Sequence, residues 1–274
     1  MKKKPVIRAL NSADLAAVKA VAKTIWEGSD YLLRIGHRWL KAGGMYGMEL
    51  DGRLIGVVKL TLLPDQVIWL EGLRIHADYQ SHGYGNVLSA FALETALGMR
   101  KQGLGNQIEF STYHLNEESI HITTKAGFRR VEQLYIMAHD PVPAKPLPAG
   151  ENLPEELLSL YPLSLIWGWK FLHPTQETLA WLRKKTKMYQ VAGGRFYGGG
   201  EQPVVVLLDP PGKWLEEAQP YMQSLCGKHT GVEIVFPFSR KAWLPKLEKH
   251  GFRRWEPETE DIIQVFRYLP DQPL

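Results

Sequence analysis

A short glycine loop between a predicted strand and a predicted helix constrains this chain most. The loop, residues 80–85, reads QSHGYG; it follows the hydrophobic stretch LEGLRI and precedes an amphipathic run that starts near Asn86. Its two glycines permit positive φ angles and a close approach of the backbone to a ligand. The first N–H groups of the helix would point at that ligand, and the helix dipole would add partial positive charge. The arrangement predicts a cradle for a pyrophosphate group.

Two other nucleotide-binding loops do not fit these residues. A Rossmann fingerprint requires Gly or Ala where Leu88 stands, and no Gly-Lys-Ser/Thr follows for a P-loop. A pair of glycines also occurs in ordinary tight turns, so the hexapeptide alone leaves that alternative open. The interpretation therefore depends on the elements around the loop.

Hydrophobic periodicity predicts an α+β domain before residue 140. The predicted strands are residues 6–10, 45–50, 53–62, 67–75, 107–113 and 128–138, and the predicted helices are residues 12–27, 31–41, 86–101 and 117–126. An Asp-Gly pair, residues 51–52, favours a type I′ hairpin between the second and third strands. The predicted order is β-α-α-β-β-β-α-β-α-β.

Two motifs in this order resemble those of the GCN5-related N-acetyltransferase (GNAT) family. The loop matches the signature Q/R-x-x-G-x-G/A, and residues 116–128 resemble N-x-x-A-x-x-x-Y-x-K-x-G-F through Asn116, Ser119, Lys125, Gly127 and Phe128. The resemblance covers residues 5–139. It implies an α+β, three-layer GNAT fold with a central mixed, mainly antiparallel sheet. It also implies acetyl-CoA as co-substrate, with no metal.

The resemblance implies a cofactor site built from one strand end, the loop and the second motif. Main-chain groups of the strand would bind the pantetheine arm, the loop would bind the pyrophosphate, and an amide side chain would bond the arm. The residues so assigned are Leu73, Arg74 and Ile75; Gln80, Ser81, His82, Gly83, Tyr84 and Gly85; and Asn116. A helix N-cap is the alternative role for Asn116.

Glu71 is the candidate general base. It lies in WLEGLRI, on the strand before the loop, where the family often places a carboxylate that takes a proton from the acceptor ammonium. Its alternatives are an ion pair with Arg74 and a solvated carboxylate. The neighbouring Gly72 would permit a β-bulge in this strand.

The residue at the position of the family's usual general acid is Thr123. Many relatives carry a tyrosine there, whose phenol protonates the departing thiolate, and a threonine hydroxyl is a much poorer acid. Water, His121, Tyr84 or Tyr113 are alternative donors. The thiolate of CoA, with a pKa of about 8.5 like that of free cysteine, could also leave unassisted. Thr123 is assigned by position only.

The segment IWEGSDYL is predicted to lie on the acceptor side. Together with EGLRI it resembles a subgroup that includes the histidine N-acetyltransferase-like proteins, which carry an extra C-terminal domain. Glu27, Asp30 and Tyr31 offer charge and hydrogen bonds for the ammonium group of a small-molecule amine acceptor. An ordinary helix cap and loop is the alternative.

A proline-rich segment predicts where one domain ends and a second begins. Residues 141–154 are assigned as a linker between an acetyltransferase domain, residues 1–140, and a C-terminal domain, residues 155–274. The two halves share KAGFRR and KHGFRR at an offset of 124 residues, which indicates a tandem copy. The second copy lacks the glycine loop and has Arg240 where Asn116 stands. We expect a degenerate GNAT-like domain that does not bind CoA, with an unrelated α+β domain as the alternative.

Composition narrows the classes of protein. The 33 basic and 29 acidic residues are a mild excess spread along the chain, so no nucleic-acid partner is expected. No apolar run is long enough for a bilayer and no secretory signal is recognisable, so we expect no membrane association and a cytoplasmic location. A single cysteine, Cys226, excludes an internal disulfide and is interpreted as structural. A monomer or homodimer is expected.

These patterns together predict an N-acetyltransferase. The acetyl group would move from acetyl-CoA to a primary amine of a small molecule or amino acid by direct attack, without an acyl-enzyme. An acyl-CoA-binding regulatory or sensor protein with little turnover is the alternative.

Overall fold

The computed structural model describes residues 4–227, 230–256 and 258–270, which form two compact units. The first unit is Met1–Phe110, Glu118–Arg129 and Arg267–Leu274, and the second is Ser111–Glu117 and Arg130–Phe266. The first unit is therefore continuous in space and discontinuous in sequence.

The first unit contains a mixed sheet with helices. Its elements are β1 (Val6–Ala9), α1 (Leu15–Ala22), α2 (Leu32–Ala42), β2 (Met45–Leu50), β3 (Arg53–Leu62), β4 (Val67–Ile75), α3 (Tyr84–Lys101), β5 (Gln107–Tyr113), α4 (Glu117–Lys125) and the start of β6 (Phe128–His139). Neighbouring strands follow the order β1-β2-β3-β4-β5. The β1–β2, β2–β3 and β3–β4 pairs are antiparallel, and β4–β5 is parallel. This is the predicted order of elements.

Helices α1 and α2 form a core with the sheet because apolar residues recur along each helix. In α1 the buried residues are Val18, Val21 and Ala22, and in α2 they include Ile35 and Trp39, four positions apart. In α3, Leu88, Ala92 and Ala96 are buried at intervals of four. Gly56 of β3 leaves room for Ile75 and Leu88, since a Cβ there would lie 2.7 Å from a methyl carbon of Ile75 and 3.3 Å from one of Leu88.

The second unit has its own sheet and core. Its elements are α5 (Leu157–Leu160), β7 (Leu165–Trp167), β8 (Lys170–Leu172), α6 (Gln176–Lys185), β9 (Tyr189–Val191), β10 (Gly194–Gly199), β11 (Val204–Leu207), α7 (Trp214–Cys226), β12 (Val232–Pro237), α8 (Leu244–Lys249) and most of β13 (Ile262–Tyr268). Neighbouring strands follow the order β13-β6-β12-β11-β10-β9, and β7 and β8 form a separate hairpin. Burial raises the pKa of the Cys226 thiol to about 12, which fits an inert cysteine.

The second unit repeats the order of the first. The series β2-β3-β4-α3-β5-α4 has its counterpart in β9-β10-β11-α7-β12-α8. In both series the first two strand pairs are antiparallel and the last is parallel, β4–β5 in one and β11–β12 in the other. The repeated order accords with the tandem copy that the KAGFRR and KHGFRR segments indicate.

The compact units differ from the predicted domains in three places. Ser111–Glu117, at the end of β5 and the start of α4, belongs to the second unit. Residues 130–139 of β6 belong to the second unit because they pair with β12 in antiparallel register from His139↔Val232 to Leu134↔Pro237. Residues 267–270 belong to the first unit, where Arg267 Nε donates to Glu109 at 2.6 Å and Leu269 N–H donates to Gly127. Both contacts join positions far apart in sequence, which local patterns do not reveal.

The proline-rich segment 141–154 lies against α7 of the second unit. Lys145 N–H donates to the Pro220 carbonyl at 2.8 Å, and Ser224 Oγ donates to the Lys145 carbonyl at 2.5 Å. Val142 N–H donates to the Gln223 side chain. The segment contains no helix or strand beyond a single bridge residue, as its prolines predict, but backbone hydrogen bonds fix its path.

The helix boundaries differ most from the prediction in α1 and α3. α1 ends at Ala22 rather than near Glu27, and Trp26 and Glu27 have φ angles of 45° and 54° in a short 3-10 turn. α3 begins at Tyr84, two residues before Asn86. Among the described residues, no helix combines the length and apolar character that crossing a bilayer requires.

Candidate functional site

A β-bulge in β4 brings two charged residues onto one face of the sheet. Glu71 pairs with Lys59 and Arg74 pairs with Val57, so β4 has one residue more than β3 between these pairs. Without that residue, positions three apart on a strand would face opposite sides. Glu71 and Arg74 thus both face the side of α1 and α2. The bulge predicted at Gly72 is confirmed.

Gly72 is required at the bulge for conformation and for space. Its φ is +66°, and a Cβ built there would lie 2.4 Å from the indole ring of Trp39. Trp39 is fully buried in α2. The indole therefore occupies the volume that a side chain at position 72 would need, and it holds α2 against the bulge.

The carboxylate of Glu71 is fixed by a neighbouring strand. Thr61 Oγ1 of β3 donates to Glu71 Oε1 at 2.5 Å. Glu71 is half-buried. Arg74, the partner that the sequence suggested as an alternative, pairs with a different carboxylate.

That carboxylate is Asp30, in the connection between α1 and α2. Arg74 Nε donates to Asp30 Oδ2 at 2.6 Å, and Leu32 N–H donates to Asp30 Oδ1 at 2.8 Å. The Asp30 side chain has no exposed surface. Trp26, 59% exposed, lies over the guanidinium of Arg74 at 4.4 Å. Asp30 thus anchors the acceptor-side segment to β4, and its role toward an acceptor stays a prediction.

Tyr31 lies among the charges of this face. Its ring is 5.2 Å from the Arg74 guanidinium and packs edge-on against Trp39. Burial raises the pKa of Tyr31 to about 12, with the Glu71 and Asp30 charges acting in the same direction and Arg74 opposing them. The phenol is therefore neutral at physiological pH. Glu27, by contrast, is exposed.

The glycine loop has the conformation that an anion cradle needs. Ser81 and Gly83 have φ angles of 61° and 81°, and Gly83 is the N-cap residue of α3 with no side chain to cap it. Space is open around Gly83, and the nearest atom to a Cβ on Gly85 would be a methyl carbon of Ile122 at 3.9 Å. The 18-residue helix α3 therefore begins at an open loop, and no side chain caps its first N–H groups.

The other loop side chains hold its shape. Gln80 Nε2 donates to the Ile75 carbonyl at 3.0 Å, and His82 Nδ1 lies 2.6 Å from the Gln80 carbonyl oxygen. His82 stacks on Tyr84. In the described residues, no group of three or more His, Cys, Asp or Glu side chains is arranged to hold a metal ion.

The end of β4 presents its main chain along an open edge. In the part of the chain that the structure describes, β4 and β5 pair only from Val67↔Gln107 to Trp69↔Glu109. His76 N–H donates to Ile55 of β3, so by alternation the N–H and C=O groups of Leu73 and Ile75 point away from β3. Arg74 and Gln80 side chains bond the two carbonyls. The N–H groups of Leu73 and Ile75 have the direction expected for binding a pantetheine arm.

Asn116, assigned to the cofactor arm, lies in the second unit just before α4. Its Nδ2 donates to Thr112 Oγ1 at 3.0 Å. The Tyr113 hydroxyl donates to the Asp261 carboxylate, and burial together with this carboxylate raises the Tyr113 pKa above the usual range. Tyr113 is thus a weak proton donor.

Thr123, the residue at the usual acid position, is on α4. Its Oγ1 donates to the Ser119 carbonyl at 2.6 Å and lies 3.2 Å from the Ile120 carbonyl oxygen. A hydroxyl in this arrangement shares its proton with the carbonyls of its own helix. The role of Thr123 toward a thiolate stays a prediction.

The second copy has a different arrangement at the corresponding strand end. Tyr161 donates to the Leu207 carbonyl at 2.7 Å, and Arg240 donates to the Leu160 carbonyl at 2.5 Å. The Arg240 guanidinium lies 4.5 Å from the rings of both Tyr161 and Trp243. Side chains from two separate segments therefore fill the space beside the end of β11.

Three features of this site were absent from the sequence-based prediction. They are three contacts: Thr61 with the candidate base Glu71, Trp39 with the bulge at Gly72, and Trp26 with Arg74. Trp26 itself lies in the IWEGSDYL segment that the sequence placed on the acceptor side. The sequence did contain a signal for Thr61. Lys59 and Thr61 are polar residues at alternate positions of a largely apolar strand, which indicates that both lie on one face of the sheet. No local pattern indicates the two tryptophan contacts, since each joins residues more than 30 positions apart.

The fold that these elements define is the GNAT fold, with a second GNAT-like unit after it. Residues 16–128 match the family model "Acetyltransferase (GNAT) family". This part of the chain is accordingly similar to the GNAT acetyltransferase family. A search of curated proteins gave no match.

Solved structures share this fold over nearly the whole chain. A crystal structure of a proposed acetyltransferase from Thermoplasma acidophilum has a TM-score of 0.64 at 17% identity, covering 96% of this chain and 99% of that one. A proposed acetyltransferase from Pyrococcus horikoshii has a TM-score of 0.61 at 12% identity, covering 96% and 88%. A GCN5-related N-acetyltransferase from Sphaerobacter thermophilus has a TM-score of 0.59 at 14% identity, covering 96% and 95%. At these identities the likeness concerns the fold.

Proposed function

We propose that the first unit transfers an acetyl group from acetyl-CoA to a primary amine of a small molecule or amino acid. The observation that carries the proposal is the bulge in β4. At this bulge, the Glu71 carboxylate faces the side of α1 and α2, and main-chain N–H groups at the end of β4 point away from β3. The glycine loop follows a few residues later and leads into α3, whose N-terminus has no side-chain cap. The carboxylate serves the amine, the edge serves the pantetheine arm and the loop serves the pyrophosphate.

The proposed reaction is a direct transfer. Glu71 accepts a proton from the acceptor ammonium, so that an N–H bond breaks, an O–H bond forms and the nitrogen regains its lone pair. The amine attacks the thioester carbonyl carbon, and a main-chain N–H at the end of β4 stabilises the oxyanion. The C–S bond then breaks with its electron pair on sulfur, the nitrogen of the new amide loses one of its two protons, and the departing CoA thiolate takes up a proton.

The acceptor would approach over the segment between α1 and α2. The Asp30–Arg74 pair holds that segment, which contains the exposed side chains of Trp26 and Glu27. Glu27 offers a carboxylate to an ammonium group, and Trp26 offers an apolar surface. A small amine or an amino acid suits this chemistry. An amino-acid acceptor would also agree with the resemblance of the IWEGSDYL and EGLRI segments to histidine N-acetyltransferase-like proteins.

Release of CoA thiol from acetyl-CoA with a panel of amino acids and amines tests the proposal. We expect turnover with at least one acceptor, and Glu71→Gln should lower kcat by about 100-fold while leaving acetyl-CoA affinity within about twofold. Glu94→Gln, a change of the same kind on the exposed face of α3, is the matched control and should have no effect. Binding of acetyl-CoA without turnover across the panel would instead favour a sensor, an alternative to which the internally bonded Thr123 hydroxyl gives some support.

A further inference from the structure

We infer that Thr61 positions the general base by holding one oxygen of Glu71 and stabilising its ionised form. The inference rests on the proposed function, since it assumes that Glu71 takes the proton. It assigns to Thr61 a role that depends on the hydroxyl group rather than on the size of the side chain.

The geometry of the two strands supports this role. In the antiparallel β3–β4 register, Lys59 faces Glu71 and Thr61 faces Trp69. Thr61 and Glu71 are thus diagonal neighbours on one face of the sheet, close enough for their side chains to meet. The 2.5 Å contact joins Thr61 Oγ1 and Glu71 Oε1. The Thr61 hydroxyl is the donor, because an ionised carboxylate can only accept a hydrogen bond.

The contact has a chemical consequence. A hydrogen bond to the ionised form of a carboxylate lowers its pKa, and a donor that is already in place also fixes the plane of the group. A half-buried carboxylate without such a donor would hold its proton at higher pH and would be a poorer base on the acidic side of neutrality.

Charged and titratable groups from each element packed on this face share the environment of Glu71. Lys59 of β3 lies opposite it and donates from Nζ to the Gly43 carbonyl at 2.6 Å. Arg74 of β4 is bonded to Asp30, and Tyr31 lies beside Arg74 before α2. A change confined to the Thr61 hydroxyl leaves these four groups as they are, so its effect can be separated from theirs.

The test uses Thr61→Val, which removes the hydroxyl at nearly constant volume, and Thr61→Ser, which retains it. The carboxyl pKa of Glu71 is measured in the full chain by carbon-13 NMR of labelled glutamate, with Glu71→Gln to assign the signal. We expect Thr61→Val to raise this pKa by about one unit and Thr61→Ser to leave it near that of the wild type. An unchanged pKa in Thr61→Val would overturn the inference.

Kinetics separate this outcome from the proposed function. If Glu71 is the base, the acidic limb of the kcat/KM profile moves to higher pH in Thr61→Val, by the same number of pH units as the carboxyl pKa in the NMR titration. If the carboxyl pKa moves while the pH profile does not, the contact acts as inferred and Glu71 is not the base. If both stay unchanged, Thr61 has only a packing role.

Discussion

Asp30 and Arg74, 44 residues apart, form an ion pair in which the carboxylate is fully buried and the Oδ2–Nε distance is 2.6 Å. The pair joins the segment between α1 and α2 to the strand that carries the candidate base. The second oxygen of Asp30, Oδ1, accepts a hydrogen bond from Leu32 N–H at the first residue of α2. One aspartate therefore fixes both the beginning of a helix and its position on the sheet.

Removal of this carboxylate is expected to cost more stability than removal of a carboxylate from a surface pair. Asp30→Leu leaves Arg74 without its partner, and the free energy of unfolding should fall by about 3 kcal/mol. Glu49→Gln, in the more exposed pair with Arg8, is the control and should cost less than about 1 kcal/mol. Urea denaturation of both variants gives the comparison, and equal losses would show that the buried pair has no special weight.

A side chain at Gly72 is expected to displace Trp39. Gly72→Ala places a methyl group 2.4 Å from the indole at a positive φ, so the loss of stability should be about 2–4 kcal/mol. Gly52→Ala has a similar φ of 75° and open space around the added carbon, so it should lose only about 1 kcal/mol. Thermal unfolding measures both, and a similar loss in the two variants would assign the effect to φ alone.

A carboxylate at the start of α3 is expected to weaken cofactor binding strongly without unfolding the protein. Gly85→Glu adds a negative charge where the pyrophosphate would bind, and about 100-fold weaker CoA binding should follow. Gly98→Glu introduces the same residue later in α3, again into open space, and should bind CoA normally. Isothermal titration calorimetry of the full chain supplies the affinities.

The same titration counts the cofactor sites. Because Tyr161 and Arg240 fill the space beside the end of β11, we expect one CoA per chain in the wild type and no site of wild-type affinity in Gly85→Glu. Two sites in the wild type, or one remaining in Gly85→Glu, would mean that the second copy also binds CoA.

Alkaline pH is expected to weaken the fold through Tyr31. Its pKa is raised from 10.0 to about 12 in the folded protein, so between these values the unfolded chain loses its phenolic proton first. Stability from this group is complete below pH 10 and is lost as the pH rises toward 12. Between pH 9 and pH 11 the free energy of unfolding should fall by about 1.4 kcal/mol through this group, and Tyr31→Phe should lack that part of the decline.

Much of the first unit could be predicted because its elements follow short-range patterns. The bounds of β2, β3, β4 and β5 coincide with the predicted ranges, where apolar stretches end at an Asp-Gly pair or at other turn residues. The loop and its following helix were recognisable for the same reason. Each of these features is encoded within a few consecutive residues.

The details of the site depend on contacts that a local pattern does not contain. The end of α1 was misplaced because Trp26 and Glu27 adopt left-handed φ angles in a segment held through Arg74. The sequence also did not reveal that both oxygens of Asp30 are bonded within the chain, and its role toward an acceptor stays a prediction. These partners lie tens of residues away, so periodicity and spacing could not identify them.

Arg267 and Tyr268, which follow the second copy in the sequence, affect how the first unit folds. Arg267 bonds the nearly buried carboxylate of Glu109, and the ring of Tyr268 packs on Phe128. During synthesis, a ribosome must therefore translate the whole second copy before the first can complete its packing. A gene cut after residue 140 would encode every residue of the proposed catalytic centre and still leave Glu109 and Phe128 without these contacts. Complete folding of the first copy thus depends on residues that are synthesised after the second copy.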